Sequence, residues 1–295
     1  MIVEVESTDG GPLVKLARDP ARGRRDDMTD DLGTPHLRFE RRGALGWCTI
    51  DRPASRNALT SRMYFGIRRA VDLVNKDPDL HALVITGVDD VFCPGGDLRR
   101  DVQQADTASG NVNIGELIGN DILPFKAIRQ SRAPVVSAIN GICQGGGLVI
   151  AMLSDISVAS ERATFRGPEL LRGITDTYYA QIMPAHIGVA LTRDLMFTGR
   201  RLNAEEAVRY GLVSRMAPHN ELEAAAEQAA REILQSAPDA RMHFKRIVNG
   251  GYGEIDEVTF SASLRGAEVR EGMAAFAEKR SPNWVPEEYR KNRRL

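Results

Sequence analysis

Two glycine clusters hold the residues whose types and spacing could do chemistry. The first is Phe92-Cys93-Pro94-Gly95-Gly96-Asp97-Leu98, and the second is Asn140-Gly141-Ile142-Cys143-Gln144-Gly145-Gly146-Gly147. Each follows an apolar run that reads as a strand, and each is expected to open a helix. A helix start presents backbone N–H groups without intrahelical partners, together with the positive end of the helix dipole. Glycine lets a ligand come close to that backbone. Two such starts aimed at one point would hold an oxyanion. Taken singly, a glycine-rich loop is more often an ordinary tight turn. Neither cluster fits GxxxxGKS/T or GxGxxG, so a nucleotide-phosphate cradle is not expected.

Two acids lie further along. Glu169, in Gly167-Pro168-Glu169, reads in isolation as a solvated or helix-capping carboxylate. Asp176 precedes a helix expected over Tyr178–Ala185. Aspartate is a favoured N-cap, so capping and a catalytic role stand side by side there. His81, His186 and His243 follow no ligand spacing and HExxH is absent, so no metal is expected. GxSxG is absent too, which argues against a serine hydrolase elbow.

The elements that must position these residues follow from periodicity and punctuation. Residues 1–34 are dense in charge between Arg18 and Asp31 and read as a mobile N-terminal extension, with Met28 a candidate start. Order is expected from His36, with two strands around a turn at Gly43 stopped by Asp51-Arg52-Pro53. Thr60 or Ser61 can cap a helix to about Asn75, whose apolar face carries Met63, Ile67, Ala70, Val71 and Val74. Leu83–Gly87, Pro134–Asn140 and Ile156–Ala159 read as buried strands, and the apolar stretch Leu148–Leu153 as core. Strands alternating with helices give an α/β core over 35–200. From about Pro184 the pattern turns helical: Leu191–Phe197, Ala204–Tyr210, Glu221–Gln235, Asp239–Asn249 and one last helix from Ile255 to Ala277. Residues 201–295 are therefore a helical C-terminal region. The stretch 101–130, with Ser109-Gly110 and Gly115, reads as a mobile segment that sets pocket volume, and the basic tail Arg290–Arg294 as solvated.

Composition bounds the rest. With 295 residues, 42% apolar and 27% charged, the chain can bury a full core and is not disordered in bulk. A net charge of −1 gives no electrostatic footprint for nucleic acid or an anionic membrane. Cys48, Cys93 and Cys143 form neither a CxxC pair nor a disulfide framework, which points to a reducing, cytoplasmic setting. No apolar run is long enough to span a membrane, and MIVEVESTDG does not read as a signal peptide.

In series, the motifs resemble the crotonase superfamily, the enoyl-CoA hydratases and isomerases. The segments are Arg52-Pro53 with Asn57-Ala58-Leu59, the two glycine clusters, Gly167-Pro168-Glu169, and Thr198-Gly199 with Ala204–Ala207. Gly211-Leu212-Val213 and Glu271-Gly272-Met273-Ala274-Ala275-Phe276 complete them, covering roughly 37 to 282 in order. The resemblance implies a spiral of ββα units with a C-terminal helical trimerisation region. It implies an acyl-CoA thioester as substrate, no separate cofactor, and a homotrimer or dimer of trimers. By alignment with that family, the N–H groups of Gly96 and Gly146 form the oxyanion hole. CoA binding falls on Arg56, Pro94, Gly96, Leu98 and Arg99. The family's lysine after Arg-Pro is Ala54 here, and Arg56 is the nearby cation.

The departures from the family direct the expected chemistry. Hydratases of the family hold a water between two glutamates. The first position is Val149 here, which cannot ionise, and the second matches Glu169. One base beside a thioester suits proton transfer, so double-bond isomerisation with Glu169 as acid/base is the leading expectation. An acyl-lined pocket would raise its pKa. Asp176 stands where hydratases are glycine-rich, and near an acid used by dienoyl-CoA isomerases and by 4-chlorobenzoyl-CoA dehalogenases. A second acid/base, a nucleophile and a plain N-cap remain open for it. The alternatives are a hydratase, a hydrolase or dehalogenase-like enzyme using Asp176, and a non-catalytic acyl-CoA-binding homologue. Asp97 is expected to brace the loop that aims Gly96.

Overall fold

The computed structural model describes residues 3–5, 13–15, 30–99, 102 and 123–290. Met28, most of the 101–130 segment and residues 291–294 lie outside them, and so do the expectations placed there. Val3–Val5 (β1) and Leu13–Lys15 (β2) pair antiparallel. Leu37–Arg42 (β3) and Leu45–Ile50 (β4) form the expected hairpin about Gly43, in register from Leu37↔Ile50 to Arg42↔Leu45.

A repeated ββα unit follows, and it explains why the glycine clusters meet. Ala82–Gly87 (β5), Val135–Ile139 (β7) and Ile156–Ser160 (β9) run parallel in a six-stranded sheet of order β12-β9-β7-β5-β4-β3. After a turn of two or three residues each is followed by a short strand: Val91–Cys93 (β6), Ile142–Gln144 (β8) and Thr164–Arg166 (β10). These short strands lie side by side in a second sheet of order β11-β10-β8-β6, with Leu202–Asn203 as β11 and Arg215–Ala217 as β12 of the larger sheet. Because β6 and β8 are parallel neighbours, the glycines that follow them emerge at the same edge.

The helices close the core. Ser61–Lys76 (α1) starts where Thr60 Oγ1 accepts from Met63 N–H, and it buries the expected apolar face plus Tyr64. Pro124–Gln130 (α2) packs beside it. Gly146–Leu153 (α3) is apolar all round and buries every residue from Gly147 on, as a central helix should. Thr177–Ile187 (α4) and Val189–Thr198 (α5) follow. Ala204–Tyr210 (α6) carries a capping box between Asn203 and Glu206. Leu222–Ile233 (α7) lays Ala226, Ala229 and Ala230 over Trp47, Val84 and Val136 on the far face of the larger sheet.

Two expectations need correction. The packed fold reaches back into the assigned extension: Leu32 is buried in the main core, and Asp30 pairs with Arg41 at 2.9 Å. One leucine among charges gives no periodic signal. Gly96 makes a β-bridge with Leu59, and of the helix expected after the first glycine cluster only Val102, which is helical, lies among the described residues. The expected last helix is two, Glu257–Ser263 (α9) and Ala267–Ala277 (α10), broken at Gly266, whose ψ of 169° is extended. Pro238–Gly250 (α8) matches its expected span.

Candidate active site

Motif residues build the site by tying down its loops. Asn57 is 1% exposed and uses its whole side chain: Oδ1 accepts from Arg52 N–H, and Nδ2 donates to the carbonyls of Val88 and Val91. Asn140 holds the same 88–91 turn from the other side, donating to Asp89 O and accepting from Gly87 N–H. The buried carboxylate of Asp97 accepts from Arg52 and Arg99, each at 2.7 Å. Burial alone would raise its pKa; the hydrogen bonds from Arg99 and Arg52 outweigh that and lower it.

The bridge then aims the first amide. Leu59 N–H donates to Gly95 O at 2.9 Å and Asp97 N–H donates to Leu59 O at 2.8 Å. Those bonds use the residues flanking Gly96, so Gly96's own N–H faces away from Leu59. Gly95 has a φ of +99°, and a Cβ there would stand 3.1 Å from Gly146 N. The two loops are thus in backbone contact, which only glycine permits. Gly146 is the first residue of α3, where an N–H has no intrahelical partner. Neither the Gly96 nor the Gly146 N–H donates to any acceptor among the described residues.

Both amides border a cleft of about 70 Å³ lined by Tyr64, Pro94, Leu98, Phe125, Glu169, Arg172, Asp176 and Phe260, among others. Five candidate positions therefore meet Gly146 and one another there: Pro94, Gly96, Leu98, Glu169 and Asp176. Arg99 does not line it; its guanidinium turns back onto Asp97 and Ser55. Arg56 follows the 3-10 turn Pro53–Ser55 with a φ of 49° and is exposed. Val149 is fully buried on α3 and is not a lining residue.

Glu169 is 8% exposed, and its Oε2 is buried without a hydrogen-bond partner. Its Oε1 lies 3.4 Å from where a Cβ on Gly145 would be, so the carboxyl sits against the second glycine loop. Asp176 caps α4: Oδ1 accepts from Tyr178 N–H and Tyr179 N–H at 3.0 and 3.3 Å. Its Oδ2 has no hydrogen bond among the described residues. Burial pushes both carboxyls up, and the charge of Asp176 raises Glu169 further. Two desolvated acids in one cleft share protons near neutrality.

Three lining or supporting residues escaped the sequence reading. Tyr179 is fully buried and its hydroxyl donates to Gly145 O at 2.9 Å, bracing the loop before Gly146. Arg172 borders the cleft and stacks on Phe276, 4.4 Å from the ring centroid. Tyr64 borders it from α1. The one available signal was a hydroxyl beside Met63 in the apolar stripe of α1.

Residues 40–287 match the family model described as enoyl-CoA hydratase/isomerase. Among curated relatives, a probable mitochondrial enoyl-CoA hydratase of Dictyostelium discoideum is 32% identical over 254 residues, covering 83% of this chain and 89% of that one. A carnitinyl-CoA dehydratase of Salmonella arizonae is 32% identical over 260 residues, covering 84% and 97%. Among solved structures, an enoyl-CoA hydratase/isomerase from Pseudoalteromonas atlantica superposes with a TM-score of 0.74 at 30% identity, covering 85% of this chain and all of that one. A carnitinyl-CoA hydratase from Mycobacterium avium gives a TM-score of 0.72 at 29% identity, covering 85% and 99%. The α/β spiral of this chain is thus the crotonase fold. The chain belongs to the enoyl-CoA hydratase/isomerase family, whose members act on acyl-CoA thioesters. These curated relatives carry hydratase and dehydratase names, which lend no support to the isomerase preference drawn from Val149.

Proposed function

We propose that the chain moves a proton on an enoyl-CoA thioester through an enolate, with double-bond isomerisation as its reaction. The thioester oxygen is held by the N–H groups of Gly96 and Gly146, and Glu169 takes the proton from one carbon and returns it to another. The carrying observation is the Glu169 carboxyl itself: buried, against the second glycine loop, with one oxygen unpartnered. A carboxyl whose pKa is raised toward neutrality serves as base and acid in turn. Proton transfer needs only the chain's own groups, so acyl-CoA is the substrate and no cofactor is called for. Pro94, Leu98, Arg56 and Arg99 serve the CoA side. We carry the homotrimer, or a dimer of trimers, and a cytoplasmic setting as part of the same reading; among the described residues no helix is long and apolar enough to cross a membrane.

A second reading is hydration and dehydration, with Asp176 replacing the carboxyl lost at Val149. It is favoured by Asp176 lining the same cleft and by the relatives' names. The test is turnover of 2-enoyl- and 3-enoyl-CoA in deuterated water. Isomerisation gives a product with the substrate's composition, carrying deuterium only to the extent that the Glu169 proton exchanges with solvent before its return; hydration adds the elements of one deuterated water. Glu169→Gln is expected to lose roughly 10²–10⁴-fold in kcat with little change in thioester binding. Wild-type turnover in that variant would refute the reading, and binding by the wild type without turnover of either substrate would make the chain an acyl-CoA-binding homologue.

A further inference from the structure

Tyr64 carries a hydroxyl that the fold does not use. The ring is 4% exposed and meets Phe125 edge-on, centroids 6.1 Å apart, a contact phenylalanine would make equally well. The hydroxyl donates to no group among the described residues, although the residue lines the cleft. The hydroxyl oxygen is not sealed from solvent; it opens on the cleft, where a ligand can supply its partner. Its position is also fixed relative to both amides. A Cβ on Gly146 would collide with the Tyr64 hydroxyl oxygen, so that oxygen stands beside the second donor. Five residues earlier, Leu59 makes the bridge that aims the first donor at Gly96. One helix start therefore sets the Tyr64 hydroxyl and the Gly96 N–H, and the missing side chain of Gly146 makes room between them.

We propose that the Tyr64 hydroxyl is a third hydrogen-bond donor to the thioester oxygen, beside the N–H groups of Gly96 and Gly146. This rests on the enolate reading of the site and deepens it. The phenol stays protonated across the working range, since burial and the neighbouring Cys93, Asp176 and Glu169 all push its pKa up, so it remains a donor. The proton is not transferred; the bond strengthens as negative charge grows on the oxygen, which lowers the barrier more than it tightens ground-state binding.

The test uses acetoacetyl-CoA, whose bound enolate absorbs in the near ultraviolet, titrated with pH on the full-length wild type and on Tyr64→Phe. The variant keeps the ring on Phe125 and both carboxyls. The expected result is that the pH midpoint of enolate formation rises by about one unit, roughly tenfold, while binding of the keto form at low pH stays within about twofold. Equal midpoints in wild type and variant overturn the role of Tyr64. If the wild type neither binds the probe nor favours its enolate over free solution, the enolate reading itself falls, and the third donor with it.

Discussion

Glu169 and Asp176 couple catalysis to stability through protons. Burial raises Glu169 from 4.5 to about 8, and Asp176 from 3.8 to about 7. In the unfolded chain both titrate in the ordinary carboxylate range. Between about pH 4 and 8 the folded state therefore binds more protons than the unfolded state, and stability falls as pH rises. Glu169→Gln and Asp176→Asn each remove one group that must be kept protonated, so each should gain in Tm over wild type as pH rises from 5 to 8. Asp176→Asn keeps an oxygen that can cap Tyr178 and Tyr179, whereas Asp176→Ala loses the cap and stands about 1 kcal/mol below Asp176→Asn at every pH. Thermal melts across that range separate the two roles. Parallel Tm curves for wild type and Glu169→Gln would show that the carboxyl is not desolvated. An Asp176→Asn variant with full turnover would leave Asp176 a cap alone.

Loops and strands explain why the motif residues recur where they do, and how far they were legible beforehand. Thr60 was readable as a cap, and the face of α1 from Met63 to Val74 followed from helical spacing, because both are local rules. The glycine clusters were readable as places of close approach. Their meeting was not, since it depends on β6 and β8 pairing in parallel across about 50 residues. The Leu59–Gly96 bridge is likewise long-range, and with it went Tyr64. The break at Gly266 was lost because apolar residues continue through it in sequence. Asp97 was rightly suspected as a brace, and its partners make the element testable. It is 4% exposed and holds Arg52, whose side chain is only 12% exposed. Asp97→Ala would leave that guanidinium buried without its carboxylate, which costs about 3–5 kcal/mol. Urea unfolding should show this as a lower midpoint at unchanged m-value, and kcat should fall as the Gly96 loop loosens. A cost under about 1 kcal/mol would mean the bridge, not the ion pair, holds the loop.

At the scale of the whole molecule, the C-terminal helices leave apolar side chains without intramolecular cover. α8 buries none of its own residues, and Phe244, Ile247 and Val248 form an i, i+3, i+4 stripe that is 70%, 72% and 48% exposed. Val258 on α9 and Phe276 on α10 are 81% and 61% exposed. By contrast α7, on the sheet, buries Leu222, Ala226, Ala229 and Ala230. A helix that presents its apolar stripe to solvent is seldom stable alone, and contiguous exposed apolar surface marks an interface. A second copy of the chain is the occupant our reading assigns to it. Sedimentation should then give a multiple of the 32.4 kDa chain mass, three or six in number. Ile247→Glu places a charge in the centre of the stripe without disturbing any buried contact. It should shift the population toward single chains at micromolar concentration, with far-ultraviolet dichroism unchanged. Because Phe276 stacks on Arg172, which borders the cleft, loss of assembly should also raise KM for the thioester. A wild type that sediments as one chain would remove the partner from this account and leave the stripe unexplained.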